Sequence, residues 1–114
     1  IMGSDAMCLA ALQCGGAGGI CAMAAHNPEL MVKMFAAYHA GRLAEAQKLQ
    51  FLSARMRTLM QSLPFMSSRI EILRLRGVMD SGYRHPFLPM NAQQNKHLAD
   101  TLRALQDEFE FPLM

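Results

Sequence analysis

The sequence predicts an α/β protein that ends in a helical region. Three observations carry this expectation: an apolar run bounded by glycines at residues 18–23, an apolar stub at residues 1–3, and helical periodicity through most of the remainder. Strands that alternate with helices are typical of α/β folds. The order strand, helix, strand, helix, followed by helices only, therefore predicts the end of an α/β protein with a helical appendix.

The first predicted helix covers residues 6–14, which are nearly all apolar. Asp5 is the predicted N-cap, and Gly15 is the residue expected to take the left-handed conformation that ends the helix. The run at 18–23 lacks polar alternation, a pattern typical of a parallel strand covered on both faces. These residues predict a buried helix followed by a buried strand.

Asn27 and Pro28 predict the start of a second helix, because asparagine is a good N-cap and proline fits the first helical position. This helix is expected to run through Ala40 and to end at Gly41. Residues 1–41 are thereby predicted to hold the last strands of the α/β part together with their helices, and residues 42–114 to form the C-terminal helical region.

Within 42–114 the longest predicted helix begins at Leu43 and ends before Pro64. Its apolar positions recur at intervals of three and four residues: Ala46, Leu49, Leu52, Met56, Leu59 and Leu63. A shorter helix follows, with Ser67 or Ser68 as its predicted cap and Gly77 as its end.

The segment "DSGYRHPFLPM" predicts a loop, because it holds one glycine and two prolines within a few residues. Asn91 and Gln94 have the spacing of a capping box and predict the start of the last helix. Its apolar side is formed by Leu98, Leu102, Leu105 and Phe109.

The composition argues against several functional classes. The net charge of +2, from 11 basic and 9 acidic residues, is too small to favour a nucleic-acid partner. No apolar run is long enough for a membrane span, and no secretory signal is apparent, so we expect neither a membrane nor a nucleic-acid partner. The expected location is the cytoplasm, or the mitochondrion if a transit peptide precedes this sequence.

The residue types that bind metals and cofactors show no site pattern. Cys8, Cys14 and Cys21 match neither a disulfide framework nor a zinc motif, so reduced, buried thiols are expected. The four histidines are scattered. The 11 methionines are interpreted as flexible core residues. No metal and no cofactor is predicted.

The predicted strand at 18–23 needs hydrogen-bonding partners on both edges, and the stub at 1–3 can supply only one. Either residues of a longer polypeptide complete the sheet, or the strand prediction is wrong. One ordered set of four motifs bears on this question. Gly3-Ser4-Asp5 is followed ten residues later by "GAGGIC", and further on come "GRLAEAQKLQ" and "YRHPFLPM".

In order and spacing these motifs resemble the dihydrodipicolinate synthase and N-acetylneuraminate lyase family over essentially the whole chain. The resemblance implies the C-terminal part of a (β/α)8 TIM barrel, comprising the end of strand 7, helix 7, strand 8 and helix 8, followed by a helical extension. The chain as it stands would then be mostly helical. The segments "GGICAMA" and "AQKLQ" favour a 4-hydroxy-2-oxoglutarate aldolase or N-acetylneuraminate lyase type. Two positions depart from the family pattern: Ala25 stands where the family often has asparagine, and Arg69 or Ile70 stands in place of its usual lysine.

The resemblance also implies a function, that of a class I aldolase or lyase forming a Schiff base with pyruvate or another 2-oxo acid. The family's catalytic lysine and tyrosine lie on earlier strands, so this segment would be inactive alone and holds no catalytic residue. Gly3, Ser4 and Ile20 are the implied substrate-binding residues, since they match positions at the carboxyl ends of barrel strands.

Lys33, Lys48 and Lys96 fall on predicted amphipathic helices, where an exposed amine is expected, and none is assigned as the nucleophile. A homo-oligomer is expected. The alternative is a non-catalytic helical interaction or oligomerisation module, or a degenerate aldolase relic.

Overall fold

The computed structural model describes residues 1–114 and is almost entirely helical. A 3₁₀ turn at Asp5–Met7 precedes six α-helices: α1 (Cys8–Gln13), α2 (Met23–His26), α3 (Pro28–His39), α4 (Leu43–Gln61), α5 (Phe65–Leu75) and α6 (Ala92–Phe109). Two compact units can be distinguished, Ile1–Arg57 and Thr58–Met114. None of the helices combines the length and apolarity needed to cross a membrane. The division into residues 1–41 and 42–114 stays a prediction.

The prediction of a strand at residues 18–23 was wrong, because the pairing there is limited to one residue. A single parallel bridge joins Met2 to Gly19. The Met2 amide donates to the Gly18 carbonyl at 2.9 Å, and the Ile20 amide donates to the Met2 carbonyl at 2.9 Å. Pairing ends there because Met23 already begins α2, and its amide donates to the Asp5 carboxylate.

The first helix is found near its predicted position, as the 3₁₀ turn followed by α1. Asp5 does not cap it, because the residue before the turn is Ser4 and the Asp5 carboxylate accepts from Met23 instead. Gly15 has a φ of 84° and ends the helix as predicted.

Helix α3 begins at Pro28 and is followed by Gly41 with a φ of 75°, both as predicted. Asn27 makes no side-chain cap, and its Oδ1 instead lies 2.9 Å from Nδ1 of the buried His26. The Tyr38 hydroxyl donates to the Leu12 carbonyl at 3.0 Å, which ties α3 to the end of α1.

Apolar side chains from each helix of the first unit are buried. They include Leu9, Leu12, Met23, Leu30, Met34, Ala37, Ala46, Leu49, Leu52 and Met56. Five residues of the predicted apolar stripe are buried in α4, so the periodicity identified the inner face of this helix. Ser53 and Met60 are also buried there but lie outside the predicted stripe, and Leu63 is only half-buried.

In the second unit α5 begins at Phe65, two residues before the predicted caps. The Ser67 hydroxyl donates to the Leu88 carbonyl at 2.6 Å, and the Ser68 hydroxyl donates to the Phe65 carbonyl at 3.0 Å. Both serines are therefore inside the helix and neither caps it. Gly77, with a φ of 67°, follows the helix as predicted.

Helix α6 begins with the predicted capping box. The Gln94 amide donates to Asn91 Oδ1 at 2.8 Å, and the Asn91 amide donates to Gln94 Oε1 at 3.0 Å. The buried apolar side chains of this unit include Leu59, Met60, Ile72, Met90, Leu98, Leu102, Leu105, Phe111 and Leu113.

Candidate functional site

Two backbone segments that are distant in sequence lie side by side in the first unit. Because Met2 pairs in parallel with Gly19, Gly3 lies level with Ile20 at the carboxyl end of the pair. Gly3 is exposed, Ser4 is half-buried, and the Ile20 side chain is 78% exposed. The structure thus brings together the three residues that the resemblance implies as substrate-binding.

Space is open beside this segment. A Cβ built at Gly3 would meet no atom within 4 Å. The Arg57 guanidinium donates to the Ser4 hydroxyl oxygen, which leaves the hydroxyl proton of Ser4 available for donation to another acceptor. The arrangement combines a glycine backbone, a hydroxyl donor, a nearby positive charge and an exposed aliphatic side chain.

Asp5 is the buried polar centre of the site, and it joins three parts of the chain. Its Oδ1 accepts from the Met23 amide at 2.9 Å. Its backbone carbonyl accepts from Gln50 Nε2 at 2.8 Å and from the Ser53 hydroxyl at 3.1 Å. Since the Asp5 residue is only 5% exposed, these bonds fix the loop carrying Ser4 against both α2 and α4.

Sequence reasoning missed the polar residues of α4. Gln50, Ser53 and Arg57 are spaced by three and four residues, so they form a polar stripe along one side of the helix. Gln50 also accepts from the Leu9 amide at 2.8 Å through its Oε1. The stripe was visible in the sequence, but its partners on residues 4, 5 and 9 were not.

Two of the three cysteines form a contact that the sequence did not predict. The sulfur atoms of Cys8 and Cys21 are 3.2 Å apart. Cys8 also donates to the Ser4 carbonyl at 3.3 Å, and Cys21 donates to the Met2 carbonyl at 3.7 Å. Burial, together with the hydrogen bond to Cys8, raises the pKa of the Cys21 thiol to about 12. All three thiols are free as predicted, but only Cys8 is buried, whereas Cys21 is half-buried and Cys14 is exposed.

Gly19 makes room for these sulfurs. A Cβ at this position would lie 3.0 Å from Cys21 Sγ and 3.1 Å from Cys8 Sγ. The same atom would lie 3.2 Å from the Met2 carbonyl oxygen. A side chain larger than hydrogen would therefore displace atoms at the bridge itself.

A groove of about 310 Å³ lies beside this pair. It is lined by Gly19, Cys21, Ala24, Met31, Val32 and Phe35. These residues offer no charged side chain that could bind a carboxylate, and the groove does not include Gly3, Ser4 or Ile20. No group of three or more His, Cys, Asp and Glu side chains is placed to hold a metal ion.

The three lysines are exposed, as predicted for amphipathic helices. Lys96 forms an ion pair with Asp100 at 2.5 Å, and the pKa of the Asp100 carboxyl is lowered by this hydrogen bond. None of the three lies in a desolvated pocket of the kind that activates a nucleophilic lysine. Their exposure accords with leaving the nucleophile unassigned in this chain.

Comparison with solved structures shows the fold. Dihydrodipicolinate synthase DapA-2 from Bacillus anthracis aligns with a TM-score of 0.81 and 25% identity, over 90% of this chain and 35% of that chain. YagE, a prophage protein of the dihydrodipicolinic acid synthase family from E. coli K12 in complex with pyruvate, aligns with a TM-score of 0.84 and 24% identity, over 91% and 36%. A variant of 2-keto-3-deoxygluconate aldolase from Sulfolobus solfataricus aligns with a TM-score of 0.84 and 22% identity, over 95% and 37%.

The chain thus spans little more than a third of the length of these structures, and its fold is that of part of a TIM-barrel family. No curated protein matches it significantly. The sequence model of the Dihydrodipicolinate synthetase family, in contrast, matches residues 1–105 of the 114. The chain belongs to the dihydrodipicolinate synthetase family.

Proposed function

We propose that this chain is the C-terminal part of a Schiff-base-forming aldolase or lyase that makes or breaks a carbon–carbon bond with pyruvate or another 2-oxo acid. In this proposal it supplies one wall of the substrate pocket and no nucleophile. The proposal is supported by the family and by the structural likeness to YagE, which was solved with pyruvate.

The observation that carries the proposal is the parallel register of Met2 and Gly19. In (β/α)8 barrels the active site lies at the carboxyl ends of the strands. Residues 1–3 would then be the end of strand 7 and residues 18–22 the remnant of strand 8. Helices α1 and α3 would be helices 7 and 8, and residues 42–114 the helical extension.

The residue types suit a 2-oxo acid. Gly3 lets a small carboxylate approach the backbone, since no side chain occupies the open space beside it. Ser4 can donate its hydroxyl proton to the carboxylate, while Arg57 contributes positive charge through its contact with Ser4. Ile20 offers an apolar surface that reduces the hydration of an adjacent imine.

The nucleophilic lysine and the proton-relay tyrosine would come from strands outside this sequence. The lysine amine would attack the keto carbon of the 2-oxo acid, and water would leave as the imine forms. Homo-oligomerisation through the helical extension, a cytoplasmic location and a type close to 4-hydroxy-2-oxoglutarate aldolase are parts of the same proposal.

Borohydride trapping tests this division of roles. The 114-residue chain and a longer protein that carries upstream strands are each incubated with pyruvate, reduced with borohydride, and mapped by peptide mass spectrometry. We expect a reduced pyruvyl group on a lysine outside this sequence and none on Lys33, Lys48 or Lys96. A specific, pyruvate-dependent adduct on the isolated chain would overturn the assignment.

Hydrogen exchange separates the proposal from the alternative of a purely helical interaction module. In the barrel arrangement the amides of Ile20 and Met23 stay bonded to Met2 and Asp5 and exchange slowly. A helical module that does not hold this pairing would exchange both amides as fast as an exposed loop.

A further inference from the structure

We infer that Cys8 and Cys21 are an oxidation site, at which a hydroperoxide converts the two thiols into a disulfide bond. The inference goes beyond the proposed function and does not depend on it, since every contact that carries it lies within residues 2–21. The two sulfurs are 3.2 Å apart, although the residues are separated by 13 positions in sequence.

The bridge between Met2 and Gly19 holds the pair together. Cys21 follows the bridge by two residues, and its sulfur is directed at the Met2 carbonyl at 3.7 Å. Cys8 lies in the first turn of α1, and its sulfur is held by the Ser4 carbonyl at 3.3 Å. Gly19 leaves free the volume into which both sulfurs project.

The two thiols differ in access, which gives each a role. Cys8 is only 1% exposed, whereas Cys21 is half-buried and lines the open groove of about 310 Å³. A small peroxide therefore reaches Cys21 first. Cys8 is the resolving thiol, because it is already in contact with the sulfur that would be oxidised.

The reaction balances with the peroxide as the oxidant. The Cys21 thiol releases its proton, and the thiolate attacks the peroxide oxygen that carries hydrogen. The O–O bond breaks, the departing oxygen takes up the released proton and leaves as an alcohol or water, and Cys21 becomes a sulfenic acid. The Cys8 sulfur then attacks Cys21, the S–S bond forms, and the sulfenic oxygen leaves as water with the Cys8 proton. Two thiols and one hydroperoxide give one disulfide, one alcohol or water, and one further water.

The reduced pair is protected near neutral pH. Because the pKa of Cys21 is raised to about 12, its reactive thiolate is scarce there. The rate of oxidation should therefore rise about tenfold for each unit of pH between 7 and 9. Once formed, the disulfide would covalently fix the helix after Ser4 to the segment after Ile20.

The test uses the protein with Cys14→Ser, because that exposed thiol could otherwise form disulfides between chains. The protein is treated with hydrogen peroxide at pH 7, 8 and 9, its remaining thiols are blocked, and it is digested with chymotrypsin. Trypsin is unsuitable because the first lysine or arginine is Lys33, whereas chymotrypsin can cut after Leu9 and Leu12, between the two cysteines. The matched controls are the double variants C8S/C14S and C14S/C21S, and the C14S protein unfolded in denaturant.

We expect the folded C14S protein to lose two hydrogen atoms, to yield cross-linked peptides containing Cys8 and Cys21, and to recover both thiols with a dithiol reductant. Neither double variant can form this product. The inference is overturned if Cys21 accumulates as sulfenic or sulfinic acid while Cys8 stays free. It is equally overturned if the folded protein retains both thiols under conditions that oxidise the unfolded control.

Discussion

The Met23 amide donates to the Asp5 carboxylate at 2.9 Å in the buried interior of the first unit. This one bond connects the turn after Ser4 to the turn after Ile20, which are the two sides of the candidate site. It also explains why the chain turns into α2 at Met23, since a carboxylate stabilises the N-terminus of a helix.

Replacing Asp5 with alanine should destabilise the protein by about 1–3 kcal/mol, because the buried Met23 amide would lose its acceptor. Asp5→Asn is the matched variant, since its amide oxygen can still accept. We expect the Asp5→Asn variant to be more stable than Asp5→Ala and less stable than the unmodified protein. Denaturant unfolding followed by circular dichroism measures both, and equal stability of the alanine variant and the unmodified protein would contradict this role.

Helix ends and the capping box were predictable because they depend on residues close in sequence. Gly15, Gly41 and Gly77 adopt positive φ angles, and Asn91 caps α6 with Gln94. The parts that failed depend on distant partners. The Asp5 carboxylate bonds Met23 and not its own helix, and Ser67 bonds the carbonyl of Leu88.

The strand at residues 18–23 failed for a related reason. An apolar run indicates that a segment is buried, but it does not show how many neighbouring segments pair with it through backbone hydrogen bonds. In this chain only Met2 pairs with that run, so a bridge replaces a strand. For the candidate site, family motifs indicated Gly3, Ser4 and Ile20, whereas the Cys8–Cys21 contact had no local signal at all.

Gly19→Ala should destabilise the protein by about 1–3 kcal/mol, because the new methyl group would be forced against two sulfurs and the Met2 carbonyl. Gly18→Ala is the matched control, since its Cβ would meet its nearest neighbour, Phe35, only at 4.0 Å. Thermal unfolding of both variants measures the difference. A Gly19 variant as stable as the Gly18 variant would show that the bridge is more loosely packed than the distances around Gly19 indicate.

The Cys21 thiol should make stability depend on pH in the alkaline range. Its pKa is raised from an ordinary value of 9.0 to about 12 in the folded chain, so the unfolded chain loses the proton first. This contribution is complete below pH 9 and is lost as the pH rises from 9 towards 12.

Urea midpoints measured across that range under reducing conditions provide the test. The decline should be smaller in Cys21→Ser and unchanged in Cys14→Ser, which leaves the Cys8–Cys21 contact intact. Parallel curves for all three proteins would refute the pKa assignment.

Removing the capping box of α6 should cost about 1 kcal/mol, because Asn91→Ala leaves the Gln94 amide without its side-chain acceptor. Gln93→Ala is the control, since Gln93 is an exposed residue in the same first turn. Chemical denaturation measures the free energy of unfolding of both variants. A loss of stability for Gln93→Ala equal to the loss for Asn91→Ala would show that the loss at Asn91 does not come from its cap, since alanine itself favours the helix.

Whether Ile20 faces the bound 2-oxo acid is decided by the pyruvate concentration that gives half-maximal borohydride trapping, measured in the protein that includes upstream strands. Ile20→Asp is compared with Val32→Asp, since the two side chains are 78% and 66% exposed and both changes add one negative charge. For Ile20→Asp we predict that this pyruvate concentration rises about tenfold or more, because a carboxylate beside the pocket repels the anion. For Val32→Asp we predict little change in it. Equal concentrations for the two variants would show that Ile20 does not face the bound 2-oxo acid.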